Sequence, residues 1–300
     1  MLKLAFDIGG SAIKIGWINK DYKIIKRDRI EHNGLRLQFD EVVKEIEDYI
    51  DKQDLSQFSD ICISSPGAIE KKTGKILGIN AVLNSVGKSY VKSFSKKYNQ
   101  KIYCENDSNC ATLAELKIGN AIGVDNAIIV VVGSGVGGSL VINKQLYRGS
   151  SYFAGELGFV YEGEVSEDIK KMFPMIKAKV GSFYGMYFLC AKYEHLTKTK
   201  KNGEQIFALY EKDNIAKECV DEIIFGLAKI ISNATAVVDP SLVLIGGAVS
   251  ANDTFLRLLK KKIKIIYFDK MVANGKFKVN RCKFGNDSNL LGAALLVEES

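Results

Sequence analysis

Glu105-Asn106-Asp107-Ser108-Asn109-Cys110-Ala111 is the stretch on which the reading of this chain turns. It follows a strand-like apolar run, Lys101-Ile102-Tyr103-Cys104, and opens an amphipathic pattern that predicts a helix to about Gly119. A strand ending where a helix begins presents Asn106 and Asp107 at the helix N-terminus. Free N–H groups and the helix dipole stabilise a carboxylate there as an anion. Such an Asp can take a proton from a hydroxyl while flanking amides hold neighbouring hydroxyls. An Asn-Asp pair alone reads more simply as a helix cap and a turn, so its surroundings decide.

Those surroundings are glycine-rich and fall at element boundaries. Asp7-Ile8-Gly9-Gly10-Ser11 follows the apolar run Leu2-Lys3-Leu4-Ala5-Phe6 and precedes Ala12-Ile13-Lys14-Ile15-Gly16-Trp17, which predicts a β-hairpin with an acid, two glycines and a hydroxyl at its turn. Glycines let a backbone approach a phosphate and aim N–H groups at it. Gly9, Gly10, Ser11 and Lys14 form a candidate phosphate set, and Asp7 can hold a hydrated Mg²⁺. Gly133-Ser134-Gly135-Val136-Gly137-Gly138 repeats the theme between two further strand-like runs. A strand rather than a helix follows it, which argues against a dinucleotide-binding fingerprint. No P-loop pattern occurs. A third pair, Gly246-Gly247, follows Leu242-Val243-Leu244-Ile245. Any one of these turns is more simply structural; three of them with an Asn-Asp pair favour a nucleotide-phosphate site.

In these motifs the chain resembles the ROK family (repressor, open reading frame, kinase) from Leu2 to about Leu296. The resemblance rests on D-x-G-G-S/T at Asp7 to Ser11, E-N-D-x-N at Glu105 to Asn109 and G-S/T-G-x-G-G at Gly133 to Gly138. A-G-E-I/L-G at Ala154 to Gly158, D-P-x-x-I/V-x-I/L-G-G at Asp239 to Gly247, and G-A-A at Gly292 to Ala294 complete it. It implies an α/β fold of two actin-like (ribonuclease H-like) domains flanking an interdomain active-site cleft. The expected N-terminal domain is 1–118 plus a returning helix at about 286–300, and the larger C-terminal domain is 119–285. Many relatives are repressors with a helix-turn-helix ahead of the core. A first core strand at Leu2 predicts none here.

Composition fits that reading. A chain of 300 residues with 47% apolar content can bury a sizeable core. Three prolines, no low-complexity tract, no membrane-length apolar run and no signal-like N-terminus predict a soluble, cytoplasmic protein. Six scattered cysteines predict buried free thiols rather than disulfides. The net charge of +7 comes from dispersed lysines with one cluster, Lys260, Lys261, Lys262 and Lys264, which reads as solvated surface rather than a nucleic-acid site. Expected strands lie at 2–7, 12–18, 22–30, 59–64, 101–105, 126–132, 138–143 and 242–245. Expected helices lie at about 37–53, 89–98, 108–118, 181–193, 204–211, 214–237 and 287–297. The hairpin at 2–18 is echoed at 126–143, a weak internal repeat.

One departure from the family pattern is informative. Most ROK kinases continue A-G-E-I/L-G with a His that binds structural zinc together with closely spaced cysteines. Here Phe159 stands at that position, and Cys190 and His195 have no such companions. Zinc needs three or four converging N/S ligands, so no structural zinc is expected, and Phe159 is expected to hold the segment by packing. The resemblance implies that Glu156 hydrogen-bonds sugar hydroxyls. It further places Ser65, Gly67, Asn80, Asn84, Asn106 and Asp107 around the sugar, Gly133, Ser134, Gly135 and Gly137 at the phosphates, and Gly246 and Gly247 near the adenosine.

The expected activity is an ATP- and Mg²⁺-dependent sugar kinase in which Asp107 takes the proton of the sugar 6-hydroxyl. The glucokinase-like sugar segment is missing around Asn80 to Gly87. The resemblance to zinc-less members, which include bacterial N-acetylmannosamine kinases and β-glucoside kinases, makes N-acetylmannosamine the leading substrate, with glucose or a β-glucoside as the alternative. A non-catalytic sugar sensor would keep the fold, yet it would have little reason to retain Asp107, Asp7 and three glycine turns. Expected partners are ATP and a small sugar, with no nucleic acid and no membrane, and a homodimer as the assembly.

Overall fold

The structure, a computed structural model, describes residues 1–10, 12–32, 37–78, 80–161, 180–266 and 277–299. The chain divides into two compact units: Met1–Ile122 with Arg148–Ala154 and Asn286–Ser300, and Gly123–Tyr147 with Gly155–Gly285.

The first unit begins with three antiparallel strands, β1 (Leu2–Ile8), β2 (Ala12–Ile18) and β3 (Ile24–Glu31). Helix α1 (Phe39–Ile50), β4 (Phe58–Ser65), the short pair β5 (Ile69–Glu70) and β6 (Lys75–Ile76), α2 (Tyr90–Phe94), β7 (Lys101–Asn106) and α3 (Asp107–Ile118) follow. The main sheet runs β3-β2-β1-β4-β7, with β4 parallel to β1 and β7 parallel to β4. Strand β4, flanked by β1 and β7, is buried at every residue but Ser59, with Ile61, Cys62 and Ile63 as its apolar middle, as suits a strand covered on both faces. Edge strand β3 carries Lys26, Arg27, Asp28 and Arg29 exposed, which discourages pairing with another chain.

Helix α1 covers one face through Phe39, Val42, Ile46 and Ile50, spaced to form a single apolar stripe. The closing helix Ser288–Leu295 returns from the far end of the sequence to pack on α3, β1 and β4. It approaches so closely that a Cβ at Gly292 would overlap the carbonyl oxygen of Cys110 in α3. Nine of the twelve α3 residues are buried, Ser108, Asn109, Thr112 and Glu115 among them.

The second unit comprises β8 (Ala127–Val132), β9 (Val136–Ile142), β10 (Gln145–Tyr147), α4 (Val180–Phe183), α5 (Met186–Thr197), α6 (Gly203–Ala208), α7 (Asn214–Val238), β11 (Leu242–Gly246), α8 (Asp253–Ile266) and β12 (Lys278–Arg281). Its sheet runs β10-β9-β8-β11-β12: two antiparallel pairings, then β11 parallel to both β8 and β12. The first sheet has the same sequence of pairings, so the echo between the two hairpins extends to the whole sheet. The long helix α7 supplies much of the core through Val220, Ile223, Ile224, Leu227 and Ile231.

Two features differ from expectation. The helix expected over 181–193 is broken, because Gly185 sits in extended conformation with its Cα against the Ser134 carbonyl, where a side chain would collide. Strands β5, β6, β10 and β12 are two to four residues long and were not foreseen, since so few residues carry no readable alternation. All six cysteines are free thiols, and all but Cys190 are buried. Among the described residues no helix is long and apolar enough to cross a membrane.

Gly292→Ala should cost the upper end of the about 1–3 kcal/mol typical of overpacking, because the obstacle is helix backbone rather than a movable side chain. Urea unfolding of the variant against wild type measures it.

Candidate active site

Strand register assembles the candidate groups of the first unit. Asp7 of β1 pairs with Ser64 of β4, and Ser65 of β4 pairs with Asn106 of β7. Three neighbouring parallel strands therefore release their last polar residues at one carboxyl edge, the ligand-binding edge of open α/β sheets. Asp7 is 3% exposed and fully engaged. Its Oδ1 accepts from Ser64 Oγ at 2.9 Å and from Asn289 Nδ2 of the closing helix at 3.0 Å. Its Oδ2 faces the Lys14 ammonium at 3.2 Å.

Asp107 is the first residue of α3, and its cap is Asn106. Asn106 Oδ1 accepts from the Asn109 N–H at 3.0 Å, while its Nδ2 donates to the Gly67 carbonyl at 3.1 Å. The Ser108 N–H donates to Asp107 Oδ1 at 2.7 Å. Burial pushes the Asp107 carboxyl up to about 6, with the nearby negative charge of Asp7 adding to the shift and the Ser108 hydrogen bonds opposing it. A carboxylate raised towards neutrality suits proton abstraction.

The remaining candidates of the first unit have distinct settings. Gly10 is exposed, and a Cβ there would meet nothing within 4 Å. The Gly9 N–H closes the hairpin on the Ala12 carbonyl at 3.0 Å. Ser11 lies outside the described residues. Ser65 is buried, and its hydroxyl donates to the Pro66 carbonyl at 3.3 Å. Asn80 shapes its own loop, donating to the Gly78 carbonyl at 3.1 Å and Ser85 Oγ at 3.0 Å and accepting from the Val82 N–H at 2.8 Å. Exposed Asn84 donates to Gln38 Oε1 at 2.7 Å, ahead of α1.

In the second unit the turn Gly133 to Gly135 joins β8 and β9 and is braced by α5. The N–H groups of Met186 and Tyr187 donate to the carbonyls of Gly133 and Ser134 at 2.9 and 3.1 Å. Ser134 is exposed, a Cβ at Gly133 would meet nothing within 4 Å, and Gly137 lies within β9. Gly246 ends β11. Gly247 has φ +83° and its Cα abuts the Val132 carbonyl, so packing alone demands glycine there. Just beyond it Ala248, Val249 and Asn252 join Met186, Asn202, Glu204 and Phe207 around a cavity of about 580 Å³.

Glu156 is half-buried at the start of the 3₁₀ turn Leu157–Phe159, and its carbonyl accepts from the Phe159 N–H at 3.0 Å. Phe159, expected to hold this segment by packing, is 44% exposed. Leu157 is the buried residue of the turn, seated against Gly138 of β9. Cys190 and His195 both lie on α5. Sequence reasoning missed the partners of the carboxylates: Ser64 and Asn289 at Asp7, and an ion pair of Glu105 with Arg148. Ser64 adjoins Ser65, which the family resemblance places at the sugar; no local signal joins Asn289 to Asp7.

Comparison with known proteins places the chain in a family. The ROK family matches residues 3–172 and 184–300. A β-glucoside kinase of Listeria monocytogenes is 28% identical over 260 residues, covering 85% of each chain. A candidate N-acetylmannosamine kinase from Listeria monocytogenes has a similar structure, with TM-score 0.85 and 25% identity over 100% of this chain and 99% of that one. A ROK glucokinase from Streptomyces griseus, solved with glucose and AMPPNP, shares the fold at TM-score 0.83 and 18% identity, with 100% of both chains covered.

Truncating the two residues of the Glu156 turn should separate their roles. Leu157→Ala should cost about 2–5 kcal/mol as a buried deletion, whereas half-exposed Phe159→Ala should cost about 1 kcal/mol or less. Denaturant midpoints of both variants check the order.

Proposed function

The chain belongs to the ROK family and is a carbohydrate kinase, and on that footing we propose that it transfers the γ-phosphoryl group of ATP to the 6-hydroxyl of a hexose or N-acetylhexosamine. The observation that carries the chemistry is Asp107, an acid at a helix start whose carboxyl is raised to about 6 beside Asp7. Phosphoryl transfer needs alignment and charge neutralisation more than covalent help. Asp107 would accept the hydroxyl proton as the sugar oxygen attacks, while Asn106, Ser65 and Glu156 orient ring hydroxyls. Gly67 gives up its carbonyl to Asn106, which fixes the amide for that task.

The donor set at Asp7 fits Mg²⁺ held through water. Ser64, Asn289 and Lys14 already occupy both carboxylate oxygens, and Mg²⁺ keeps several waters while taking one or two carboxylates and substrate phosphates. The ion would neutralise charge on the transferring phosphate. Backbone N–H groups around Gly10 and the Gly133–Gly135 turn would receive phosphate oxygens, and the cavity beyond Gly247 would take the adenosine.

For the sugar, N-acetylmannosamine is the leading reading, supported by the likeness to a candidate kinase of that sugar. A β-glucoside is the second, supported by the 28% identity to a β-glucoside kinase. A coupled ADP-release screen over N-acetylmannosamine, N-acetylglucosamine, glucose, cellobiose and fructose decides between them, and turnover of none would refute the kinase assignment.

Asp107→Asn should lower kcat by roughly 10²–10⁴-fold, the usual loss for a general base, with sugar binding kept by calorimetry. Because Asp107 must be ionised to take a proton, kcat/KM with both substrates limiting should decline as pH falls through about 6, and the residual activity of Asp107→Asn should lack that limb.

Gly10→Val tests the phosphate turn independently. Open space at Gly10 means that the fold should accept the side chain with unchanged Tm. KM for ATP should rise about tenfold or more, equivalent to about 1.4 kcal/mol. Wild-type KM would assign the turn a structural role only.

A further inference from the structure

We propose that Arg148 is a positioning residue for phosphoryl transfer, acting through Glu105 on the helix end that carries Asp107; this rests on the general-base reading of Asp107. Glu105 is 1% exposed at the end of β7. Its Oε1 accepts from the Asn106 N–H at 2.8 Å and from Asn109 Nδ2 at 3.1 Å. The residues immediately before Asp107 and two positions after it therefore hang on one carboxylate oxygen. Asn109 also donates its own N–H to Asn106 Oδ1, which closes the loop around Asp107.

The other oxygen, Oε2, accepts from Arg148 Nε at 2.6 Å, and the Arg148 NH2 nitrogen donates to Glu299 Oε2 at 2.7 Å. Arg148 thus does two things. It supplies the counter-charge without which a buried carboxylate is costly. It also fixes the direction of that carboxylate, because a guanidinium is a rigid planar fork spanning two acids, which a lysine ammonium does not reproduce. Segment Arg148–Ala154 groups with the first unit, and it leads straight into Gly155-Glu156. One arginine therefore ties the segment Arg148–Ala154 and the C-terminal Glu299 to the turn that presents the base.

A buried ion pair serving stability alone is replaceable by neutral residues at little cost. One that aims a catalytic group is not, since displacement of about 1 Å can cost about 10²-fold in rate. Arg148→Ala and Arg148→Lys should each lower kcat by about 10–100-fold and leave KM for ATP within about twofold. Added guanidinium should restore part of the rate of Arg148→Ala.

The deciding measurement repeats Arg148→Ala in an Asp107→Asn background, where its effect on kcat should vanish because no base remains to be aimed. An equal fold-loss in both backgrounds overturns the proposal while leaving the base assignment intact. Near-wild-type turnover of Asp107→Asn alone removes the base assignment and the proposal with it. Should Arg148→Ala not fold, the neutral pair Glu105→Gln/Arg148→Met carries the same cycle: reduced kcat with recovered stability supports positioning, and wild-type kcat refutes it.

Discussion

The close approach of the closing helix to α3 is the constraint on which the first unit depends. Gly292 lies directly against the Cys110 carbonyl, leaving no room for a side chain. That contact seats α3 on the sheet and so fixes where its first residue, Asp107, emerges. It also brings Asn289 to Asp7, so the same packing orients the second carboxylate. Interiors are close-packed and yield little, so a shift at Gly292 would be felt at both acids.

The two acids are treated differently by their surroundings. Asp7 is held by a hydroxyl, an amide and an ammonium, which occupy both its oxygens. Asp107 receives hydrogen bonds from Ser108 and stands in a buried setting that favours its protonated form more than usual. One carboxylate is thereby held in place at both oxygens. The other can exchange a proton near neutral pH, and contrasting environments for paired acids are a common way to divide such roles.

Glycines sort into two kinds by the same geometric reasoning. Gly247, Gly185 and Gly292 have backbone against them, so packing explains each. Gly10 and Gly133 face open space, so the fold does not require them. The phosphate proposed at these turns would need that open volume. Both occur at the hairpin turn of their own sheet, and the two sheets share one order of pairings.

Local pattern was enough to read the hairpins, most longer strands and helices, the start of α3 at the Asn-Asp pair and the phosphate-type turns. Each of these is encoded within about ten neighbouring residues by periodicity, caps and glycines. The failures share another cause. Phe159 looked like a packing residue from its motif, but how much of it is buried depends on what folds over it. The break at Gly185 comes from a carbonyl about fifty positions earlier in the chain. Asn80 and Asn84 read as amides for a sugar, and only the folded chain shows that Asn80 also holds its own loop while Asn84 bonds Gln38 ahead of α1. The partners that fix the carboxylates are 57, 282 and 43 positions away, Ser64 and Asn289 for Asp7 and Arg148 for Glu105. The sequence by itself determined which groups are chemically able to act. Tertiary structure decided which of them are aimed, because hydrogen bonds that fix a side chain come from residues that only the folded core brings within 3 Å.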